Sequence, residues 1–155
     1  MGMMIDGAWR VMDRNERRQQ SGKFVRAEPY FRNWITADGS PGPSGKGGFK
    51  AEAGRYHLYV SLACPWAHRT LIMRKLKGLE EKISLSAVHY YMGDQGWSFH
   101  DADGVLPDPI IGAKYMHQIY AAAEPTYSGR VSVPVLWDRE TATIVNNESP
   151  EIIRM

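Results

Sequence analysis

The chain has 155 residues, 43% of them hydrophobic, which is enough for one core and too few for two full domains. Lys and Arg total 19 against 17 Asp and Glu, and a formal charge of +2 supplies no field that would hold a nucleic acid backbone. Apolar runs all fall well short of the roughly 20 residues of a membrane-crossing helix, and MGMMIDGAWR has neither a secretory nor a myristoylation pattern, so the expected compartment is the cytosol. The single cysteine, Cys64, excludes an internal disulfide and a Cys-rich zinc site, and no metal is expected.

Residues 1–55 read as an irregular extension. Arg14, Arg17, Arg18, Lys23 and Arg26 alternate with acids and amides, and no helical or strand period lasts long enough to name. Asp38 to Gly48 (DGSPGPSGKGG) is a Gly/Pro/Ser loop, expected to be too flexible and polar to pack. Its Gly45-Lys-Gly-Gly resembles a phosphate loop only superficially, since the spacing is wrong and no strand precedes it.

From Tyr56 the pattern sharpens into the domain expected over 56–155. Tyr56, Leu58 and Val60 alternate with His57, Tyr59 and Ser61, which predicts a strand. Leu71 or Ile72, Leu76 and Leu79 then recur at helical spacing, with Pro65 at the first helical position and Gly78 near the end. A second strand is predicted over Ile83 to Tyr90, followed by a long polar insert from Tyr91 to Pro109 and a helix around Ala113 to Ala123. Val131 to Trp137 reads as a strand interrupted by Pro134, Ala142 to Val145 returns antiparallel, and Asn146 to Glu151 opens a last helix. The order β-α-β-α-β-β-α is that of a thioredoxin-like α/β fold with a mixed four-stranded sheet.

Cys64 stands between a strand and a helix that opens with proline, where unpaired amides and the helix dipole favour a thiolate. Set against this is a buried structural cysteine, a common fate of a free thiol. Thioredoxins carry a second Cys three positions on, and this chain has Ala67 there. A mixed disulfide at Cys64 is therefore released only by an outside thiol, for which glutathione is the abundant candidate. Pro134 suits a cis proline at the site mouth, with Val133 offering its backbone to an extended peptide, although an edge strand also accepts a trans proline. Glu148 and Ser149 open the last helix, where they could meet an ammonium and a carboxylate or act only as caps. Trp97 offers a flat apolar wall or a pin for its loop, and Arg130 a carboxylate partner or a solvated charge. His68 and Arg69 add donors near the thiol without an assigned role, and His57 reads as structural.

The stretches FRNWI (31–35), AEAGRYHLYVSLACPWAHR (51–69), GWSF (96–99), VPVLWD (133–138) and NNESPEIIRM (146–155) resemble the glutathionyl-hydroquinone reductases, the Xi-class glutathione transferases related to the omega class. The resemblance implies that Cys64 is the nucleophile and glutathione a co-substrate. It also implies that Trp97, Arg130, Val133, Glu148 and Ser149 contact glutathione and that Pro134 is the cis proline. The substrate class implied is a glutathionylated aromatic small molecule, with an omega-like thioltransferase or dehydroascorbate reductase, or a non-catalytic glutathione-binding module, as alternatives. Members of this family are dimers, so a homodimer is expected. They continue into an all-helical domain that walls the aromatic substrate, and that part is absent from this sequence, whose last helix is expected to be cut short.

Overall fold

The computed structural model describes residues 2–12 and 29–155; the basic residues Arg14, Arg17, Arg18, Lys23 and Arg26 lie outside these. Two short strands come first, β1 (Gly2–Ile5) and β2 (Ala8–Val11), paired antiparallel. They correct the expectation that no strand precedes Tyr56. Four-residue strands are too short to display a period, but Asp6 and Gly7 between them adopt φ of 47° and 78°, the positive pair that a two-residue hairpin turn demands.

The main sheet has the order β4-β3-β5-β6, built from β3 (Tyr56–Ser61), β4 (Ile83–Val88), β5 (Val135–Asp138) and β6 (Thr143–Asn146). β3 and β4 run parallel, joined by helix α1 (Pro65–Leu76), while β3–β5 and β5–β6 are antiparallel. Helix α2 (Met116–Ala123) packs on β6, and α3 (Ser149–Ile152) meets α1. This is the thioredoxin-like arrangement that the element order predicts.

β3 is buried on both faces rather than one. Tyr56 and Leu58 lie with Leu136 beneath α1 and α3, while Tyr59 turns the other way to meet Phe99 edge-on at 6.1 Å. A polar side chain in such a strand needs partners within the protein. His57 finds them in Ser84 Oγ at 2.6 Å and Ser86 Oγ at 2.9 Å, supporting its structural reading. Burial, with the nearby Arg139 charge, pushes its pKa down to about 4.

Several boundaries move for identifiable reasons. β5 begins at Val135, after Pro134, which has no N–H for the ladder. β4 ends at Val88, and the chain leaves to pair His89 N–H with Ser98 O at 2.8 Å. α2 begins at Met116 because the preceding amides are already satisfied. Asp108 accepts from Ala113 N–H at 2.9 Å, and Gln118 Oε1 accepts from Lys114 and Tyr115 N–H at 2.7 and 3.0 Å. The long insert is also tied down, since the same Asp108 accepts the Tyr59 hydroxyl at 2.8 Å and the Ile110 amide at 2.9 Å.

The loop at 38–48 packs, contrary to expectation. Trp34 is buried and donates its indole N–H to Ser44 Oγ at 2.9 Å, which in turn donates to Arg32 O at 2.7 Å, and Gly42 lies against the Trp34 side chain without room for a Cβ. Residues 31–33 then run antiparallel to 145–147, with Asn33 N–H to Val145 O at 3.0 Å. Arg32 forms a two-armed ion pair with Glu151 of α3. No helix among the described residues is long and apolar enough to cross a membrane.

Candidate functional site

Cys64 caps α1 from an extended backbone conformation (φ −101°, ψ 112°), and Pro65 occupies the first helical turn. Proline fits there because the first-turn N–H it lacks would have no partner within the helix. The Cys64 side chain does not cap the helix; it is half-buried, with its sulfur 3.7 Å from the Val133 carbonyl oxygen. Its position is therefore neither sealed in the core nor fully in solvent.

Val133 belongs to the segment that enters β5, and the Val133–Pro134 peptide is cis. One buried hydroxyl fixes this segment. Tyr120 on α2 donates to Ser132 O at 3.0 Å and accepts from Ser132 N–H at 3.2 Å and from Asn147 Nδ2 at 3.1 Å. Burial raises its pKa, so the hydroxyl keeps its proton. Tyr120 thereby binds the strand beside the thiol to the residue preceding Glu148. Glu148 is half-buried, with its backbone N–H on Asn146 Oδ1 at 2.7 Å, and Ser149 is buried at the start of α3.

Trp97 and Arg130 stand on two other loops, and neither shares a hydrogen bond with Cys64. Trp97 is half-buried and packed on the core, its carbonyl accepting the Met116 N–H at 2.9 Å. Arg130 is exposed, and its carbonyl accepts the Tyr127 hydroxyl at 2.8 Å. His68 is exposed, while Arg69 lies over the Trp66 ring at 4.6 Å. Tyr120 was not among the residues expected at the site, because a tyrosine on an apolar helical face reads as core. Among the described residues no group of three metal-ligating side chains comes together.

A cavity of about 390 Å³ lies elsewhere, between the sheet, α1 and α3, lined by Tyr56, Leu58, Met73, Leu136, Ile152 and Met155 among others. It does not include Cys64.

The sequence pattern of the glutathione S-transferase N-terminal domain matches residues 63–155. The chain belongs to the glutathione S-transferase family. The glutathionyl-hydroquinone reductase YqjG of Escherichia coli is 58% identical over the whole of this chain, and PcpF of Sphingobium chlorophenolicum is 52% identical. This chain spans about half the length of these relatives, 47% and 46%. Among solved structures, glutathione-bound YqjG aligns with a TM-score of 0.85 at 55% identity, covering 99% of this chain and 44% of that one. A Xi-class transferase from Natrialba magadii aligns at 0.82 with 46% identity, covering 100% and 44%.

Proposed function

We propose that this protein is a glutathione-dependent reductase of glutathionyl-hydroquinones, working through a mixed disulfide at Cys64. The observation that carries the reading is the position of the Cys64 sulfur, half-buried at the start of α1 and beside the Val133 carbonyl. In the first step the thiolate attacks the glutathionyl sulfur of the substrate. The sulfur–aryl bond breaks, its electron pair and a proton go to the ring carbon, and the hydroquinone leaves. In the second step a glutathione thiolate attacks the glutathionyl sulfur on Cys64, releasing glutathione disulfide and restoring the thiol. The aromatic ring is reduced by two electrons and two glutathione moieties end as one disulfide, so the cycle balances.

The absence of a second cysteine favours this route, since no thiol within the chain can resolve the adduct. In this reading the Val133 backbone pairs with the tripeptide, Glu148 and Ser149 hold its γ-glutamyl end, and Trp97 and Arg130 close over it. A cytosolic setting, with its reduced glutathione, suits the second step. The test is turnover of a glutathionyl-hydroquinone with glutathione, followed by chromatography of hydroquinone and glutathione disulfide. Equal amounts of both products from the native protein, and neither above background from Cys64→Ser, support the reading. Unchanged turnover in Cys64→Ser overturns it.

A related reading, an omega-like thioltransferase with a different acceptor, is favoured by similarity to an omega-like transferase of Schizosaccharomyces pombe, 49% identical over 136 residues. Disulfide exchange without turnover of the aryl thioether distinguishes it.

A further inference from the structure

The hairpin β1–β2 lies outside the part of the chain that matches the family's N-terminal domain, yet it touches both loops that carry Trp97 and Arg130. On one side, Trp9 of β2 donates its indole N–H to Asp94 O at 3.0 Å. Its ring stacks on His117 in the first turn of α2, with centroids 5.0 Å apart and planes 16° apart, and His117 stacks in turn on Tyr115 at 5.3 Å. Gly96, next to Trp97, has φ of +75°, and a Cβ there would meet the Trp9 ring at 3.0 Å. The turn carrying Gly96 is closed by its N–H to Gly93 O at 3.1 Å. Trp9 thus covers the turn that leads into Trp97 and holds it against α2.

On the other side, the hairpin pairs with the strand-like segment before the cis proline. Met4 and Gly129 exchange N–H···O bonds of 2.9 Å in both directions, and Gly7 N–H reaches Tyr127 O at 3.0 Å. Asp6 N–H donates to Ser128 Oγ at 2.8 Å. Met4 is buried, so this edge of the hairpin is part of the core rather than an appendage. One element of 10 residues therefore fixes the spacing between the 93–97 turn and the 127–130 segment.

We propose that the hairpin is a brace for the glutathione site and that Trp9 is a positioning residue for the glutathione-capture step, acting through Trp97 and its turn. The inference rests on the reading of Cys64 and Trp97 given above. Trp9 does not touch the thiol. Its loss alters how glutathione is received and leaves the intrinsic reactivity of the sulfur intact. A misplacement of about 1 Å in a substrate-holding group can lower a rate up to about a hundredfold, so a measurable effect at this distance from the chemistry is physically reasonable.

The test compares two reagents on the full chain, the native protein against Trp9→Ala and Trp9→Phe. Glutathione disulfide needs the site, whereas iodoacetamide needs only an accessible thiolate. We expect Trp9→Ala to slow glutathionylation of Cys64 by about tenfold with alkylation changed by less than about twofold. Trp9→Phe keeps the stack on His117 and loses only the bond to Asp94, so its slowing is smaller; it also serves if the alanine variant does not fold. Equal glutathionylation rates in native and variant proteins, or equal slowing with both reagents, overturn the proposal. Amide hydrogen exchange supplies a readout independent of glutathione. In either variant the amides of 93–97 exchange faster than in the native protein, and unchanged protection there overturns the brace even if the native protein forms no adduct. Failure of the native protein to form the adduct is instead the failure of the reading of Cys64.

Discussion

The sulfur of Cys64 lies 3.7 Å from the carbonyl oxygen of Val133, 69 residues away in sequence. Two segments meet at this contact: the turn from β3 into α1, and the cis-proline approach to β5. The order β4-β3-β5 makes the meeting a consequence of the fold, because β3 and β5 are direct neighbours. In the proposed mechanism a substrate arriving at the thiol meets the Val133 backbone, so what holds that backbone in place matters for that chemistry.

Tyr120 is predicted to be such a support. Replacing it with Phe removes the hydroxyl shared by Ser132 and Asn147, leaving an N–H and an amide NH₂ without that partner. A buried donor deprived of its acceptor costs about 1–3 kcal/mol. Tyr120→Phe should therefore melt at a lower temperature and take up glutathione at Cys64 several times more slowly. A melting curve and an adduct time course identical to those of the native protein would show that the hydroxyl does not position the segment.

The pair Arg55–Asp138 carries a separate prediction, about stability rather than the site. Asp138 Oδ1 and Oδ2 accept from Arg55 Nε and Nη2, each at 2.8 Å, and the Asp138 side chain is fully buried. Burial pushes the Asp138 pKa up, but the hydrogen bonds from Arg55, Thr141 and the Glu140 amide outweigh it, and the net direction is down. Arg55→Met strands that carboxylate, and breaking a buried pair from one side costs about 3–5 kcal/mol. Urea titration should show a loss of this order, whereas a change under about 0.5 kcal/mol, typical of surface substitutions, would contradict the buried pairing. The stabilisation from the depressed Asp138 pKa is present above the unfolded value, about 3.9, and disappears as pH falls through the folded one.

His57 gives the pH dependence at milder acidity. The folded protein keeps this histidine neutral down to about pH 4, while the unfolded chain protonates it near its unperturbed value of about 6.5. Between those values the unfolded state binds the extra proton, so stability falls as pH drops from 6.5 to 4, by up to about 3 kcal/mol. Burial lowers the His117 pKa as well, which adds a slope of the same sign. In His57→Asn the fall in unfolding free energy across this window should shrink to the part left by the other histidines. An unchanged slope in that variant would assign the effect elsewhere.

What could be read from the sequence followed from strong local chemistry. Pro65 after Cys64 marked the start of α1 because proline has few other places in a helix, whereas the strand expected over Val131 to Trp137 runs through Pro134 and forms only after it, from Val135. The alternation in Tyr56 to Ser61 found the strand but missed its burial on both faces, since His57 is polar by type and is made tolerable only by Ser84 and Ser86, 27 and 29 residues on. Trp34 and Ser44 show why a Gly/Pro-rich loop was misjudged: its ordering comes from one indole hydrogen bond and close glycine contacts, neither of which has a period. The hairpin was missed in an extension read as irregular, although Asp6-Gly7 is a dipeptide with a turn preference, and the partners of Trp9 lie more than 80 residues away and have no local signature.

The most direct measurement for the account is the intact mass of the protein after incubation with glutathione disulfide. The prediction is one glutathionyl group, carried on Cys64, removed by added glutathione and absent in Cys64→Ser. A native, folded protein that gains no mass under those conditions would contradict the central claim that Cys64 is a site for covalent capture of glutathione.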